Sequence, residues 1–202
     1  MEVLFTYLFR FILNVIEKLG YGGIFMLSLF ESANIPIPSE IIVPFSGFLV
    51  SIGSMNFWAV VIFASLGNLT GSIISYELAL RYGRRPVLFF GKFIWTSEEH
   101  LKLAERFFDK YGVYSIFFGR LLPVIRTFIS FPAGMFQVTR IKFIVYTFIG
   151  AFIWSFFLTY IGFELGQNWT NIRAYFHVFE IAIITILFIV FGFWIIMRVR
   201  SK

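Results

Sequence analysis

Glu31-Ser-Ala-Asn-Ile-Pro-Ile-Pro-Ser-Glu40 interrupts an apolar run that extends from Leu19 to Ile52. Pro36 and Pro38 withhold backbone donors and push the residues before them out of the helical region, while Ser39 is suited to cap a helix restarting at the break. The apolar limbs on either side, 19–30 and 41–52, hold about a dozen residues each, near half the length a straight membrane span needs. The spacing predicts a re-entrant helical hairpin whose tip, carrying Glu31 and Glu40, lies deep in a bilayer.

A second break of the same kind occurs at Arg120-Leu-Leu-Pro-Val-Ile-Arg126, with Pro132 shortly after it. Uninterrupted, charge-free stretches lie at 55–76, 143–163 and 181–197, and each is read as a transmembrane helix. The whole chain of 202 residues is 59% hydrophobic and 14% charged, with a mean hydropathy of +0.85. Too little polar surface remains to solvate a globule of that size, so lipid must cover much of it.

The net charge of +6 does not point to nucleic acid, because the basic residues flank apolar stretches, where they face cytoplasm and anionic headgroups. With no cysteine, disulfides, thiolate metal sites and cysteine nucleophiles are excluded. Met1-Glu2-Val3 lacks a basic region and no Ala-x-Ala site follows, so the first segment is expected to stay; Arg10 interrupts its apolar residues from Val3 to Ile16, which favours an interfacial amphipathic helix over a short span. The segment 81–110 carries seven Lys or Arg. Within it Thr96-Ser-Glu-Glu99 has capping-box spacing ahead of Leu101, Ala104, Phe107, Phe108 and Tyr111, which predicts an amphipathic surface helix. This positive excess, with Arg140, Lys142 and the tail from Arg198, places those segments and the C-terminus in the cytoplasm.

The expected organisation is an all-α polytopic membrane protein. An N-terminal amphipathic helix (1–19) precedes a core (20–165) of hairpin 20–53, span 55–80, cytoplasmic linker 81–110, hairpin 111–138 and span 141–165. An external loop (166–177) and a C-terminal transmembrane helix with a basic tail (178–202) complete it. Tyr21-Gly22 and Tyr111-Gly112 open two similar halves, each a broken hairpin followed by a span. Their opposite orientations match inverted-repeat transporters.

Glu31, Glu40, Arg120 and Arg126 stand out because an ionisable group at membrane depth is costly and marks a partner, a path or a substrate. Arg120 and Arg126 flank Pro123, so a bend can turn both guanidinium forks toward one anion, a lipid phosphate being the natural candidate. A half-helix starting near Ser39 adds backbone donors for the same anion. Glu31 and Glu40 are then groups that exchange protons and gate access. The bland alternative for all four is a pair of ion pairs that only hold the hairpins together. Gly67-Asn68-Leu-Thr-Gly71 has small residues one turn apart, the pattern of close helix packing. Glu77 is expected to pair with Arg81 or Arg84. His100 and His177 stand alone, and no hydrolase, P-loop or metal-ligand motif occurs, so no catalytic residue, metal or cofactor is expected.

Three blocks together resemble the DedA family, also called VTT-domain proteins: Phe30 to Glu40, Gly67-Asn-Leu-Thr-Gly71 through Tyr76 to Gly83-Arg84, and Gly119-Arg-Leu-Leu-Pro-Val-Ile-Arg126 through Pro132-Ala-Gly134. The resemblance implies re-entrant hairpins and movement of phospholipids or of undecaprenyl phosphate across the bacterial inner membrane, often linked to protons, with Glu31, Glu40, Arg120 and Arg126 as essential positions. Asn68 stands where many members carry Asp, and no acid lies between Ile41 and Ile52, so those positions do not carry over a proton link. Undecaprenyl phosphate is the expected cargo and phosphatidylethanolamine the next. A small-cation antiporter and a lipid-pyrophosphate phosphatase remain as other classes, and a homo-oligomer stays open.

Overall fold

The computed structural model describes residues 2–35, 37, 39–83, 106, 108–122 and 125–167, with side chains from Arg10 onward. Among these residues the chain is helical, with no strand. The elements are α1 (Glu2–Leu19), α2 (Tyr21–Ser32), α3 (Ser39–Ser51), α4 (Phe57–Tyr82), α5 (Tyr114–Arg120), α6 (Ser130–Met135) and α7 (Arg140–Gln167). The expected span at 181–197, the external loop and most of the amphipathic linker helix lie outside the described residues, as do Pro36, Pro38 and Pro123. Of the linker helix only Arg106 and 108–111 are described; they are helical, and Phe108 is buried.

With 26 and 28 residues, α4 and α7 are about 39 and 42 Å long, more than the roughly 30 Å of a bilayer core. Their outward faces expose Ile62, Leu66 and Ile74 on one helix and Ile141, Ile149 and Phe157 on the other. Asn56 caps α4 by accepting from the Ala59 N–H at 3.1 Å. Gly83 ends the helix at φ +62°, its N–H returning to the Ala79 carbonyl.

The first broken region folds back on itself. The Tyr21 hydroxyl, at the start of α2, accepts from the Asn56 N–H just past the end of α3, while Glu31 near the end of α2 meets the start of α3 at Ser39. The two helices therefore run antiparallel, and with 12 and 13 residues each is about 18–20 Å long. Asn34 turns the chain at φ +67°, a conformation Asn tolerates better than most residues. Pro44 sits inside α3, in a stretch read from the sequence as an uninterrupted limb.

The second broken region has much shorter limbs, seven residues in α5 and six in α6, joined by turns at 125–129. Pro132 lies in the first turn of α6, where a missing N–H costs no intrahelical bond. A Cβ at Gly119 would lie 3.0 Å from the Ile129 side chain, so the limbs lie against one another.

Glycines set the distances between elements. Gly67 and Gly71 of α4 face the Phe25 and Leu29 carbonyls of α2, leaving no room for a methyl group. The matched positions rise together, 25 with 67 and 29 with 71, so α2 and α4 are parallel. On the other side Gly162 and Gly166 of α7 take Pro44 and Ser51 of α3, again in parallel. The α1 helix joins through fully buried Ile12 and Ile16, which pack with Ile24, Leu27, Ile42 and Val43.

Gly71→Ala would drive a methyl group into α2 backbone, and overpacking of this kind costs about 1–3 kcal/mol. Gly22→Ala enters open space and is expected to be neutral or slightly stabilising. Thermal unfolding of the two variants in detergent measures the difference.

Candidate functional site

Burying charge in this bundle requires partners from elements far apart in sequence, because lipid supplies none. Arg126, in the turns before α6, is 5% exposed and reaches the first hairpin. Its guanidinium donates to the Glu31 carboxylate and to the Ser39 hydroxyl, and lies 3.5 Å from the Glu40 carboxylate. Glu31 is 4% exposed, whereas the Glu40 side chain is 46% exposed. The Ser39 N–H donates to Glu31 at 3.2 Å. The carboxylate of Glu31 thus caps the start of α3, and the Ser39 hydroxyl, expected to cap that helix, is engaged by arginine instead.

Arg120, 3% exposed at the end of α5, is held differently. It donates to Ser72 at 2.6 Å and to Ser130 at 2.7 Å, and among the described residues no carboxylate lies within ion-pair distance of it. Gly150 of α7 makes room for its side chain, since a Cβ there would come within 2.6 Å of the Arg120 Cβ. The two guanidinium groups are close enough to repel each other, and Glu31 is close enough to attract Arg120.

A polar seam between α2 and α4 continues from Arg120. The Ser72 hydroxyl donates to the Asn68 carbonyl at 2.6 Å, and the Asn68 side chain accepts from Ser32 and donates to the Ala64 carbonyl. Asn34 donates to the Ser75 hydroxyl, which donates to the Ser32 carbonyl. Asn68 is thereby tied into packing of the seam. Sequence reading missed Ser32, Asn34, Ser72, Ser75 and Ser130. The available signal was the run Ser65, Asn68, Ser72, Ser75, whose steps of three and four place it on one face of α4.

Trp154 was also missed. The Arg126 guanidinium carbon lies 5.0 Å from the centre of its ring, a cation–π contact that closes the site from α7. Several buried polar atoms around these groups have no hydrogen-bond partner among the described residues: Glu31 Oε2, Arg120 Nε, Arg126 Nε and Trp154 Nε1. An unmet buried donor or acceptor costs about 1–3 kcal/mol. The site therefore holds two arginines, two carboxylates and unused hydrogen-bonding capacity.

Among the described residues the ion-pair partner of Glu77 is Arg140 and not Arg81 as its helical spacing suggested. Arg140 at the start of α7 grips it with two nitrogens, at 2.8 and 3.1 Å. A two-pronged contact across helices has better geometry than an i,i+4 pair along one helix. Arg84 lies outside the described residues.

Arg126→Ala should strand the Glu31 carboxylate without a cation, and breaking such a buried pair costs about 3–5 kcal/mol. The double variant Glu31→Gln/Arg126→Gln removes both charges and is expected to recover part of that loss, as read by thermal unfolding in detergent.

Residues 37–164 match the VTT domain. Over 191 residues the chain is 35% identical to a protein named uncharacterized membrane protein YkoX of Bacillus subtilis, covering 94% of this chain and 84% of that one. It is 31% identical over 191 residues to undecaprenyl phosphate transporter A of the same organism, covering 94% of both. It is 32% identical over 196 residues to a protein of Lactococcus lactis named alkaline phosphatase-like protein, covering 95% of this chain and 92% of that one. No solved structure matches the chain. Apolar helices long enough to span a bilayer, the matched domain and the full-length likeness to membrane proteins agree: the chain belongs to the VTT-domain, or DedA, family.

Proposed function

We propose that this protein carries a lipid with an anionic phosphate headgroup across the bacterial cytoplasmic membrane, with undecaprenyl phosphate as the cargo. The observation that carries the reading is Arg120, a buried guanidinium held by two serines and lacking a carboxylate partner among the described residues, beside Arg126. A buried cation of this kind calls for an anion, and a phosphate supplies acceptors matched to the arginine fork. The named activity of the Bacillus subtilis transporter, alike over almost its whole length, supports the same cargo.

In this reading the α2–α3 pair is a re-entrant hairpin, because each limb is shorter than a bilayer core. Its tip brings Glu31, Ser39 and Glu40 to Arg126 at membrane depth. The lipid phosphate binds Arg120, Arg126 and Ser39 while the prenyl chain stays among acyl chains. Glu31 holds Arg126 when the site is empty and competes with the phosphate. A proton on Glu31 neutralises the carboxylate, releases Arg126 to the phosphate and changes which side the site is open to. The chain ends in the cytoplasm.

A second cargo has a specific observation in its favour. Glu40 is half exposed and 3.5 Å from Arg126, which suits an ammonium next to a phosphate, as in phosphatidylethanolamine. The name of the Lactococcus relative raises phosphatase activity as a different class, which release of inorganic phosphate from the lipid would reveal.

Vesicles containing purified protein and either undecaprenyl phosphate or phosphatidylethanolamine test these readings. Protein-dependent transbilayer movement of undecaprenyl phosphate is expected, falling at least about tenfold in Arg120→Lys/Arg126→Lys, because a point charge does not replace a bidentate fork. Full transport by that variant would remove the arginines from the mechanism, and movement of phosphatidylethanolamine alone would reassign the cargo.

A further inference from the structure

Tryptophan in membrane helices gathers at headgroup level, where its ring meets acyl chains and its indole N–H meets water or a polar partner. Trp154 instead stands near the middle of α7. Its ring supports the Arg126 guanidinium, and its Nε1 is buried with no hydrogen-bond partner among the described residues. The cation contact favours an indole over phenylalanine, but phenylalanine would also attract the guanidinium and would bring no orphan donor, so the unpartnered N–H is a cost that the contact alone does not offset. Phenylalanine is abundant in this chain, with 30 residues against five tryptophans, and flanks the position at Phe152 and Phe156.

A second orphan donor lies on the same stack. Arg126 uses its terminal nitrogen on Glu31 and Ser39, yet its Nε is buried and unpartnered. Both unused N–H groups therefore belong to one guanidinium–indole contact, 5.0 Å from the guanidinium carbon to the ring centre. Neither suits an ammonium or a metal cation, since both donate.

We propose that Trp154 is a lipid-binding residue: its indole N–H, together with the Nε–H of Arg126, hydrogen-bonds a phosphate oxygen of the transported lipid, while its ring fixes the plane of the guanidinium. The inference rests on the lipid-phosphate reading above and adds a residue from α7 to the site. The substrate then contacts the long helix directly as well as the two broken regions.

Trp154→Phe keeps a ring beneath Arg126 and removes only the donor. Binding of undecaprenyl phosphate to the purified full chain in nanodiscs is expected to weaken about tenfold in this variant, as for loss of a hydrogen bond to a charged group, with no loss of thermal stability in the lipid-free protein. In wild-type protein with nitrogen-15-labelled tryptophan, one of the five indole N–H resonances is expected to move downfield on lipid titration and to be absent in Trp154→Phe. Wild-type affinity in Trp154→Phe, or five unmoved indole resonances in wild type under conditions where the lipid binds, would overturn the role of Trp154 and leave the lipid-phosphate reading standing. The wild-type resonances decide the question even if the variant does not fold. A wild type that binds no undecaprenyl phosphate would overturn both.

Discussion

Arg126 and Glu31 are 95 positions apart in the chain, and their contact depends on a medium that solvates neither charge. In water such a pair would contribute little, since each ion would lose as much hydration as it gained in attraction. Within a lipid-covered bundle the alternative to pairing is an isolated buried ion, and the architecture around the two groups is arranged to avoid that. The α2–α3 pair folds back so that Glu31 and Ser39 face one side, and the turns before α6 bring Arg126 to meet them. Glu31 also caps the buried start of α3 by accepting its first backbone N–H, so one carboxylate serves both a helix terminus and an arginine.

Close backbone contact makes this arrangement fit. With Gly67 and Gly71 against α2, the hydroxyls and amides of Ser32, Asn34, Asn68, Ser72 and Ser75 come within hydrogen-bond reach of one another, and Ser72 in turn holds Arg120. Larger residues at the glycines would separate the helices and strand those polar groups in an apolar medium, where each unmet group is costly. On the opposite face, Gly162 and Gly166 seat α3 on α7, and Gly150 makes space for Arg120. The small residues and the buried charges therefore depend on each other.

Much of the helical layout was legible because length and charge are strong signals in a lipid solvent. Residues 55–76 and 143–163 lack any charge over a membrane's width and became α4 and α7, each extended by a turn or more into polar flanks such as Glu77, Arg81 and Arg140. Pro36, Pro38 and two glutamates marked the first break, and the helices stop and restart on either side of it. The second break was visible from Pro123 and the two arginines, but the shortness of its limbs was not, because apolar residues continue through the turns at 125–129 as they do through the helices. Pro44 gave no such sign: it is the sixth residue of α3, past the first turn, and the helix continues through it although one intrahelical hydrogen bond is withheld.

By itself the sequence determined the solvent, the positions of the long helices and the four ionisable residues that had to find partners, because hydrophobic length and buried charge act locally and leave a compositional mark. Tertiary structure decided which charges meet: Arg126 with Glu31 and not with a neighbour in sequence, Arg120 with serines in place of an acid, Glu77 with Arg140 across helices in place of Arg81 along one. It also brought Trp154 to the site. Those pairings depend on the crossing of distant segments at glycine contacts, and an interaction between residues tens of positions apart leaves no periodicity along the chain from which it can be read.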